Sequence, residues 1–551
     1  MNPLQKLLDS TLFNCLFLLA SLVYSLVFIF YGLDFGDTFF YINLCMDYTS
    51  FPIMTLTLLI GNGWANLFGD SLLSFRILNW LLRTTIIALP FIILTVPGNR
   101  KINLKFVAIA LLLITTLNGN TFGNDACTRF FLVLAVSFFI KYFIKQNLLN
   151  LILYGIFASL FMLTRISNIL IIPVTVIGLF INEFYNNFKQ LHFKKFLAGL
   201  FKKTLLVFAV TSVVYFIVIL FVYGSLTEYY MKLTISIANI DESHTIGSMI
   251  NGYWRDAKLL LPFLIVCLIL YAASIKAQFY VQVRYTIQFL GAILFVFFLK
   301  DYVGIKEYNW NLSLFCSAVA YSLMIISGIY FVRTRQYFSF FILLVICVFS
   351  ILPILGSNTR LLKLSPFLIS FLPVILIYSK DLLANNTFLK VLTMILLAFV
   401  VLTRFEIFYE ESRMSELKYE STLKKIDNIK TTKLKVDYIR EVLNDYEKYN
   451  TACRTVLFYG KSSYIFYYLT NNKPLYLNRF WMLPESVKEV KRAESFIASN
   501  KPVVFFLPAY PQNAEKFFTD RKINSLFEKM LLGKGYHTST KDKYIIYDTD
   551  L

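Results

Sequence analysis

The fold is decided by the stretch Tyr31-Gly32-Leu33-Asp34-Phe35-Gly36-Asp37-Thr38-Phe39-Phe40-Tyr41, which directly follows an apolar run from Thr11 to Phe30. A run of about 20 apolar residues is long enough to cross a bilayer. The stretch then places two carboxylates, Asp34 and Asp37, at the mouth of a membrane helix, where removing a charge from water is costly. It is therefore either a solvated loop with incidental acids or a catalytic carboxylate site at the membrane surface.

The composition predicts an α-helical polytopic membrane protein. Hydrophobic residues make up 57% of the 551 residues, charged residues make up 16%, and the mean hydropathy is +0.63. Apolar windows long enough to span a membrane recur along most of the chain. We predict about thirteen transmembrane helices, near residues 11-30, 72-96, 104-118, 127-145, 148-164, 166-182, 204-223, 259-275, 283-299, 312-332, 338-355, 362-379 and 387-403.

The net charge of +20 lies in short loops between the predicted spans. Loop lysines and arginines orient membrane proteins and contact anionic headgroups, so this charge does not indicate nucleic-acid binding. The strongest basic cluster, in 189-203, contains His192, Lys194, Lys195, Lys202 and Lys203. The loops on the opposite side are long and polar: 31-71, 118-126, 224-258, 300-311 and 356-361. The pattern predicts a cytoplasmic N-terminus and, after an odd number of spans, an outer C-terminus.

The chain changes character at about residue 404, and we predict two domains: a transmembrane domain over 1-403 and a small extracytoplasmic α/β domain over 404-551. Charged helical sequence there gives way to strand-like runs at 455–459, 502–507 and 544–547, separated by helical stretches. Tyr459-Gly460-Lys461-Ser462-Ser463 lacks the earlier glycine of a nucleotide-binding phosphate loop, so no nucleotide cofactor is indicated. The high content of Phe, Tyr, Lys, Ile and Asn is typical of an AT-rich genome, which favours a bacterial inner (plasma) membrane location.

The unusual polar residues gather on the predicted outer face. Asp34 and Asp37 lie in the first outer loop, and Asp125 lies at the start of the fourth span. A carboxylate can accept a proton from a hydroxyl, and basic side chains can hold a phosphate as it gains charge. The candidate phosphate-binding residues are Arg165, His244, Arg255, Arg360 and Lys363.

Each candidate also has a structural interpretation. Asp125 could simply cap the fourth span, because Asp is favoured at helix starts. Arg360 and Lys363 could be flanking charges that reach the headgroups, and His244 could be a solvated loop residue. The chain has only three histidines, which argues against a histidine-based metal centre.

Several of these segments resemble the GT-C glycosyltransferases, a superfamily that includes the protein O-mannosyltransferases and the lipid A aminoarabinose transferases. The resemblance rests on Gly36-Asp37-Thr38-Phe39-Phe40-Tyr41, Pro52, Leu67-Phe68-Gly69-Asp70-Ser71-Leu72-Leu73-Ser74-Phe75-Arg76-Ile77-Leu78, Asp125 with Arg129, Leu163-Thr164-Arg165 with Pro173, and Arg360 to Pro366. The sequence departs from the family pattern in having Asp37-Thr38 where Asp-Glu is usual, and in lacking a Lys-Pro-Pro further along the loop.

The resemblance implies a membrane glycosyltransferase. Such an enzyme moves a hexosyl or pentosyl group from a polyprenyl-phosphate donor to a hydroxyl of an envelope glycan, lipid or protein acceptor on the outer face. It implies Asp37 as the base, Asp125 as a supporting or acceptor-orienting residue, and Asp34 as the next candidate base. Arg165, Arg360 and Lys363 would neutralise the donor phosphate. No cofactor is implied, although a divalent cation between Asp37 and Asp125 stays open.

Two other functional classes stay open at this point. One is a lipid-linked glycan flippase or other transporter without chemistry, which would place charges within its spans along a pathway. The other is a glycan polymerase or ligase, which usually lacks an appended outer α/β domain. The geometry discriminates between them, because the enzyme requires Asp37, Asp125 and Arg360 to converge at one outer-face cavity.

Overall fold

A computed structural model describes residues 10–94, 104–117, 122–187, 193–238, 250–258, 324–353, 364–378, 413–450, 454–472, 487–507 and 526–550, together with residues 261, 265 and 321. Five helical segments in the described part are long and apolar enough to cross a membrane: Thr11–Phe30, Leu72–Leu94, Asn124–Lys145, Ile166–Asn186 and Phe193–Tyr223. They coincide with predicted spans, and they make the chain an integral membrane protein. The predicted spans 283-299 and 387-403, and nearly all of 259-275, lie outside the described residues, so the count of about thirteen stays a prediction.

The described helices between residues 10 and 378 pack into one bundle. In chain order they are α1 Thr11–Val27, α2 Asp37–Met46, α3 Thr55–Phe68, α4 Leu72–Leu94, α5 Leu104–Leu117, α6 Asn124–Lys145, α7 Leu148–Thr164, α8 Ile171–Asn187, α9 Phe193–Tyr223, α10 Leu226–Ala238, α11 Tyr337–Phe349 and α12 Leu364–Tyr378. Further helical residues lie at 250–258 and 324–333.

Helix α6 is the centre of the bundle. Its best apolar window is 72% buried, whereas that of Thr11–Phe30 is 22% buried and faces outward. On α6, the ring of Phe139 lies 5.0 Å from that of Tyr154 in α7 and 5.3 Å from that of Phe349 in α11. Gly178 of α8 lets both phenylalanine rings approach, because a Cβ there would lie 3.0 Å from the Phe139 ring. Large apolar side chains thus fix α6 relative to its neighbours.

The segment 31-71, predicted as a long polar outer loop, contains two helices. Helix α2 buries Phe39, Ile42 and Cys45 with no exposed surface, at the spacing of one helical face. Helix α3 ends at Gly69, whose φ of +85° suits a glycine. The prediction treated the segment as polar throughout and missed the apolar face that holds it against the bundle.

The C-terminal segment, defined here as the described residues from 413 to 550, combines sheet and helix. Its elements are β1 Tyr419–Glu420, β2 Lys430–Thr431, α13 Lys433–Tyr449, β3 Val456–Gly460, α14 Ser463–Thr470, α15 Val487–Asn500, β4 Val503–Leu507, α16 Leu526–Gly533, β5 His537–Thr540 and β6 Ile545–Asp548. Four strands form a sheet in the order β3-β4-β6-β5, with β3 and β4 parallel and the other pairs antiparallel. Strands β3, β4 and β6 lie at the predicted strand-like runs, whereas β5 was not predicted. The boundary at 404 stays a prediction.

A charged cluster joins helix α13 to the end of the sheet. The Asp445 carboxylate accepts hydrogen bonds from Lys448 Nζ at 2.6 Å and from the Tyr544 hydroxyl at 2.7 Å, and Lys541 Nζ lies 3.6 Å away. Burial alone would raise the pKa of Asp445, but these two hydrogen bonds and the lysine charges outweigh it and hold that pKa below its ordinary value. The cluster therefore stabilises the C-terminal segment as long as Asp445 is ionised.

Candidate functional site

Asp34 builds the start of helix α2, where Asp37 is the first helical residue. One oxygen of the Asp34 carboxylate accepts the Gly36 N–H at 2.6 Å. The other accepts the Thr38 N–H at 3.3 Å and the Thr38 hydroxyl at 2.9 Å. The first N–H groups of a helix have no acceptor within the helix, and a nearby carboxylate can accept their hydrogen bonds. These contacts give Asp34 a structural part and place Asp37 at the positive end of α2.

Arg76 anchors the chain between the first span and α2. Arg76 is buried, with 2% of the residue exposed. Its guanidinium donates to the Ile29 carbonyl at 2.8 Å, to the Tyr31 carbonyl at 3.1 Å and to the Gly32 carbonyl. The last carbonyls of a helix lack partners within it, and a basic side chain can bind them. Here its donors reach backbone carbonyls, which leave no trace in the sequence.

Tyr41 connects α2 to the start of α6. It lies one helical turn after Asp37, and its hydroxyl donates to Asn124 Oδ1 at 2.9 Å. Its ring covers Gly123, where a Cβ would lie 2.9 Å from the ring. Asp125 follows Asn124 in the first turn of α6. The two helix starts that carry Asp37 and Asp125 therefore belong to one packed unit.

A cluster of hydroxyls connects the start of α6 to the chain turn at Arg165. Thr128 lies one turn after Asp125, and its hydroxyl lies 2.9 Å from that of Thr164, the last residue of α7. The Thr164 carbonyl accepts the Thr57 hydroxyl of α3 at 3.2 Å. Arg165 directly follows, with extended backbone (φ −164°) between α7 and a short 3-10 helix. The turn that carries Arg165 is thus fixed to the Asp125 turn through one pair of threonines.

The C-terminal segment packs against residues 32–72, which carry Asp34 and Asp37. The Lys430 carbonyl accepts the Gly32 N–H at 2.8 Å, and the Lys425 carbonyl accepts the Leu72 N–H at 2.9 Å. The Tyr468 hydroxyl donates to the Asp70 carbonyl at 2.8 Å, and burial together with the Asp70 charge raises the pKa of Tyr468, which keeps that donor protonated. The residues from the end of the first span to the start of α4 are therefore held between the bundle and the C-terminal segment.

The lysine-rich end of the bundle lies at the far end of the same helices. Helix α6 has 22 residues, so its last residue lies about 32 Å from its first at about 1.5 Å per residue. At that far end Lys203 forms an ion pair with Glu183, which is 5% exposed, and the Lys203 ammonium lies 5.5 Å from the Tyr142 ring centroid. The other described lysines at this end are Lys141, Lys145, Lys194, Lys195 and Lys202. Residues 31–37, named the acidic loop here, and this lysine-rich end thus lie at opposite ends of the bundle.

Part of the predicted site lies outside the described residues. His244, Arg360 and Lys363 fall in that part of the chain, and for Asp37 the backbone is described but the side chain is not. Arg255 is exposed on helical residues 250–258, and the described contacts do not connect it to Tyr41, Asn124 or Thr128. The structure therefore brings together the segments that carry Asp34, Asp37, Asp125 and Arg165. The convergence required of Arg360 stays a prediction.

The described residues contain no group of three His, Cys, Asp or Glu side chains close enough to hold a metal ion. Both oxygens of the Asp34 carboxylate accept hydrogen bonds from Gly36 and Thr38 at the start of α2. A divalent cation between Asp37 and Asp125 stays a proposal.

Comparison with known proteins gives a likeness in structure alone, because no protein-family model and no curated protein matches the sequence. The crystal structure of an Archaeoglobus fulgidus oligosaccharyltransferase in complex with Zn and sulfate matches with a TM-score of 0.50 and 11% identity, over 97% of this chain and 73% of that one. A structure of the archaeal oligosaccharyltransferase AglB from the same organism, in complex with an inhibitory peptide and a dolichol-phosphate, matches with a TM-score of 0.49 and 12% identity, over 97% and 74%. At such low identity the first likeness shows the fold alone: this chain shares its overall fold with that oligosaccharyltransferase.

Proposed function

We propose that the protein is a membrane glycosyltransferase that moves a sugar from a polyprenyl-phosphate donor to a hydroxyl acceptor at the outer face of the membrane. The observation that carries the proposal is the packing of two acid-bearing helix starts and one arginine-bearing turn at a single end of the bundle. The hydrogen bond between Tyr41 and Asn124 joins the two helix starts that carry Asp37 and Asp125. The hydrogen bond between Thr128 and Thr164 joins the start of α6 to the turn that carries Arg165. The overall fold shared with an oligosaccharyltransferase supports the same kind of reaction.

In the proposed reaction Asp37 is the general base. Its carboxylate takes the proton of the acceptor hydroxyl as that oxygen attacks the anomeric carbon of the donor sugar. The new carbon–oxygen bond forms as the bond from the anomeric carbon to the lipid-phosphate oxygen breaks, and the lipid phosphate leaves with the bonding electrons. Asp125 orients the acceptor. Asp34 positions Asp37 through its hydrogen bonds to Gly36 and Thr38, the residues on either side of it.

The leaving phosphate gains negative charge and needs a cationic partner. We assign this part to Arg165, Arg360 and Lys363, with Arg255 and His244 as further candidates on the same predicted face. An arginine can meet two phosphate oxygens with parallel N–H donors, so its geometry as well as its charge favours the leaving group. Arg165 stands next to Thr164, whose hydroxyl bond to Thr128 fixes its distance from the first turn of α6.

The arrangement of charge supports an outer location for the site. The described lysines of the short loops lie at the end of α6 and the start of α9, opposite to the acidic loop. Short cytoplasmic loops carry an excess of Lys and Arg. We therefore propose a cytoplasmic N-terminus and an outer C-terminal segment, in a bacterial inner membrane. A periplasmic reporter fused after residue 403 should be active, and an active cytoplasmic reporter there would reverse the orientation.

The direct test of the function uses the purified full-length protein in lipid nanodiscs with a synthetic polyprenyl-phosphate sugar and an extract of envelope glycans, lipids and proteins. Transfer of labelled sugar to an acceptor, with release of polyprenyl phosphate, is expected. Movement of the intact lipid-linked sugar across a vesicle membrane without product would favour the flippase. Extension of a lipid-linked glycan, or its transfer as a block, would favour the polymerase or ligase. The envelope glycans of a deletion strain would then identify the sugar and acceptor.

A further inference from the structure

One lysine of the C-terminal segment is buried against the acidic loop. Lys435 is 2% exposed, and its Nζ donates to the Leu33 carbonyl at 2.5 Å. The same ammonium lies 5.4 Å from the centroid of the Phe35 ring. Leu33 and Phe35 flank Asp34, which forms the start of α2. A residue 402 positions away in the sequence thus holds the backbone that leads to Asp37.

The position of Lys435 is costly for a lysine, and this contact helps to offset that cost. It is the third residue of α13, where the helix macrodipole disfavours a positive charge. Burial of an ammonium is also costly without compensating partners. A backbone carbonyl and an aromatic face are two groups that compensate a cation. Lys433 lies two residues earlier in the same helix and is exposed, as is usual for a lysine in a first turn.

The surrounding contacts make this part of the loop rigid. Phe35 also packs on Tyr438, with ring centroids 5.9 Å apart, and the Tyr438 hydroxyl lies 3.0 Å from Ser462 Oγ. The Lys430 carbonyl accepts the Gly32 N–H one residue before Leu33. Lys435 therefore adds a charged contact to the aromatic and backbone contacts that hold residues 32–35 against the C-terminal segment.

We propose that Lys435 is a positioning residue for the acidic site: it sets the backbone of residues 33–35 and, through Asp34, the start of α2 that carries Asp37. This proposal rests on the proposed function for its effect on turnover, but the contact itself does not depend on the reaction. It gives the C-terminal segment a part in the activity of the membrane bundle. A displacement of about 1 Å at a reacting group can cost about 10²-fold in rate, so a fixed loop has direct consequences for turnover.

The test compares Lys435→Met with Lys433→Met in the full-length protein in nanodiscs. Hydrogen exchange is measured over peptides from 31–46 and, separately, over strands β3 and β4. For Lys435→Met we expect faster exchange in 31–46 with unchanged exchange in the strands. We also expect a turnover number lower by about 10- to 10²-fold with an unchanged KM for the donor. Lys433→Met should match the wild type in both measurements.

Each outcome has a definite meaning. Wild-type exchange over 31–46 in a folded Lys435→Met protein would overturn the proposal, and so would faster exchange with unchanged turnover. If the Met variant loses protection in β3 and β4, Lys435→Gln takes its place: the amide keeps a polar group in the site, but it is uncharged and one bond shorter than the lysine, so it should still weaken the contact with the Leu33 carbonyl and the Phe35 ring. Unchanged exchange over 31–46 in that variant would also overturn the proposal. If the wild-type protein transfers no sugar, the proposed function fails, while the exchange data still decide whether Lys435 holds the loop.

Discussion

The packing of Tyr41 on Gly123 provides a sharp test of whether the acidic helix starts act as one unit. The backbone at Gly123 is extended (φ −175°), so alanine can adopt it without strain. In Gly123→Ala, however, the new Cβ would lie 2.9 Å from Tyr41 Cδ2, whereas ordinary contact begins at 3.4 Å. The ring must therefore retreat by the difference, about 0.5 Å, and the Tyr41 hydroxyl must move relative to Asn124.

The magnitude follows from that displacement. Overpacking of a fitted site typically costs about 1–3 kcal/mol in stability. Since about 1 Å of misplacement can cost about 10²-fold in rate, half of it should lower the turnover number by about 10-fold. Single-turnover transfer from a synthetic polyprenyl-phosphate sugar measures the rate, and thermal unfolding in nanodiscs measures the stability.

Gly63→Ala is the matched control. Gly63 lies in α3, and a Cβ there would meet no atom within 4 Å. Alanine is a better helix former than glycine by about 1 kcal/mol, so this variant should keep the wild-type rate without loss of stability. If Gly123→Ala behaves as Gly63→Ala does in both measurements, the two helix starts do not act as one unit and the proposed site loses its basis.

Three further predictions concern the anchor, the phosphate and the pH. Arg76→Met leaves three carbonyls without their donor and should lower the free energy of unfolding by about 3 kcal/mol, roughly 1 kcal/mol for each carbonyl. Chemical denaturation measures this change, and Arg333→Met, at an exposed position, is the control that should change it little. Arg360→Lys should keep part of the transfer rate and Arg360→Ala less, and unchanged steady-state kinetics in the alanine variant would remove Arg360 from the site. The pKa of Asp445 is lowered by its partners, so its stabilising contribution is present above its unfolded pKa of about 3.9 and is lost as the pH falls through the folded value. Hydrogen exchange over β3 and β4 of the full-length protein, corrected for intrinsic rates, should therefore accelerate below about pH 4, and Asp445→Asn should remove most of that pH dependence.

The spans and the strands follow from local sequence. The run Thr11–Phe30 is apolar throughout, and the strands at Val456–Gly460 and Val503–Leu507 are rich in β-branched and aromatic residues, so composition and periodicity predict both. The helices α2 and α3 escaped prediction for a different reason. Their apolar faces are stabilised by packing on the bundle, whereas the acids and glycines around them are typical of a loop.

The candidate site could be predicted only in part, because its contacts join distant segments. Asp37, Asp125 and Arg165 stood out by residue type and by position near span ends. The contact between Tyr41 and Asn124 spans 83 positions, and neither residue type signals it. Arg76 and Lys435 bind backbone carbonyls, and every residue has a carbonyl, so no sequence pattern could identify their partners.

Asp37→Asn asks whether Asp37 is the general base of a glycosyl transfer. The measurement is the single-turnover rate of transfer from a synthetic polyprenyl-phosphate sugar, together with donor binding. Loss of a positioned base should lower the rate by about 10²–10⁴-fold while donor binding is retained. Asp47→Asn, at the exposed other end of the same helix, is the control and should transfer at the wild-type rate. A near-normal rate in Asp37→Asn would contradict the account and make Asp34 the next residue to test.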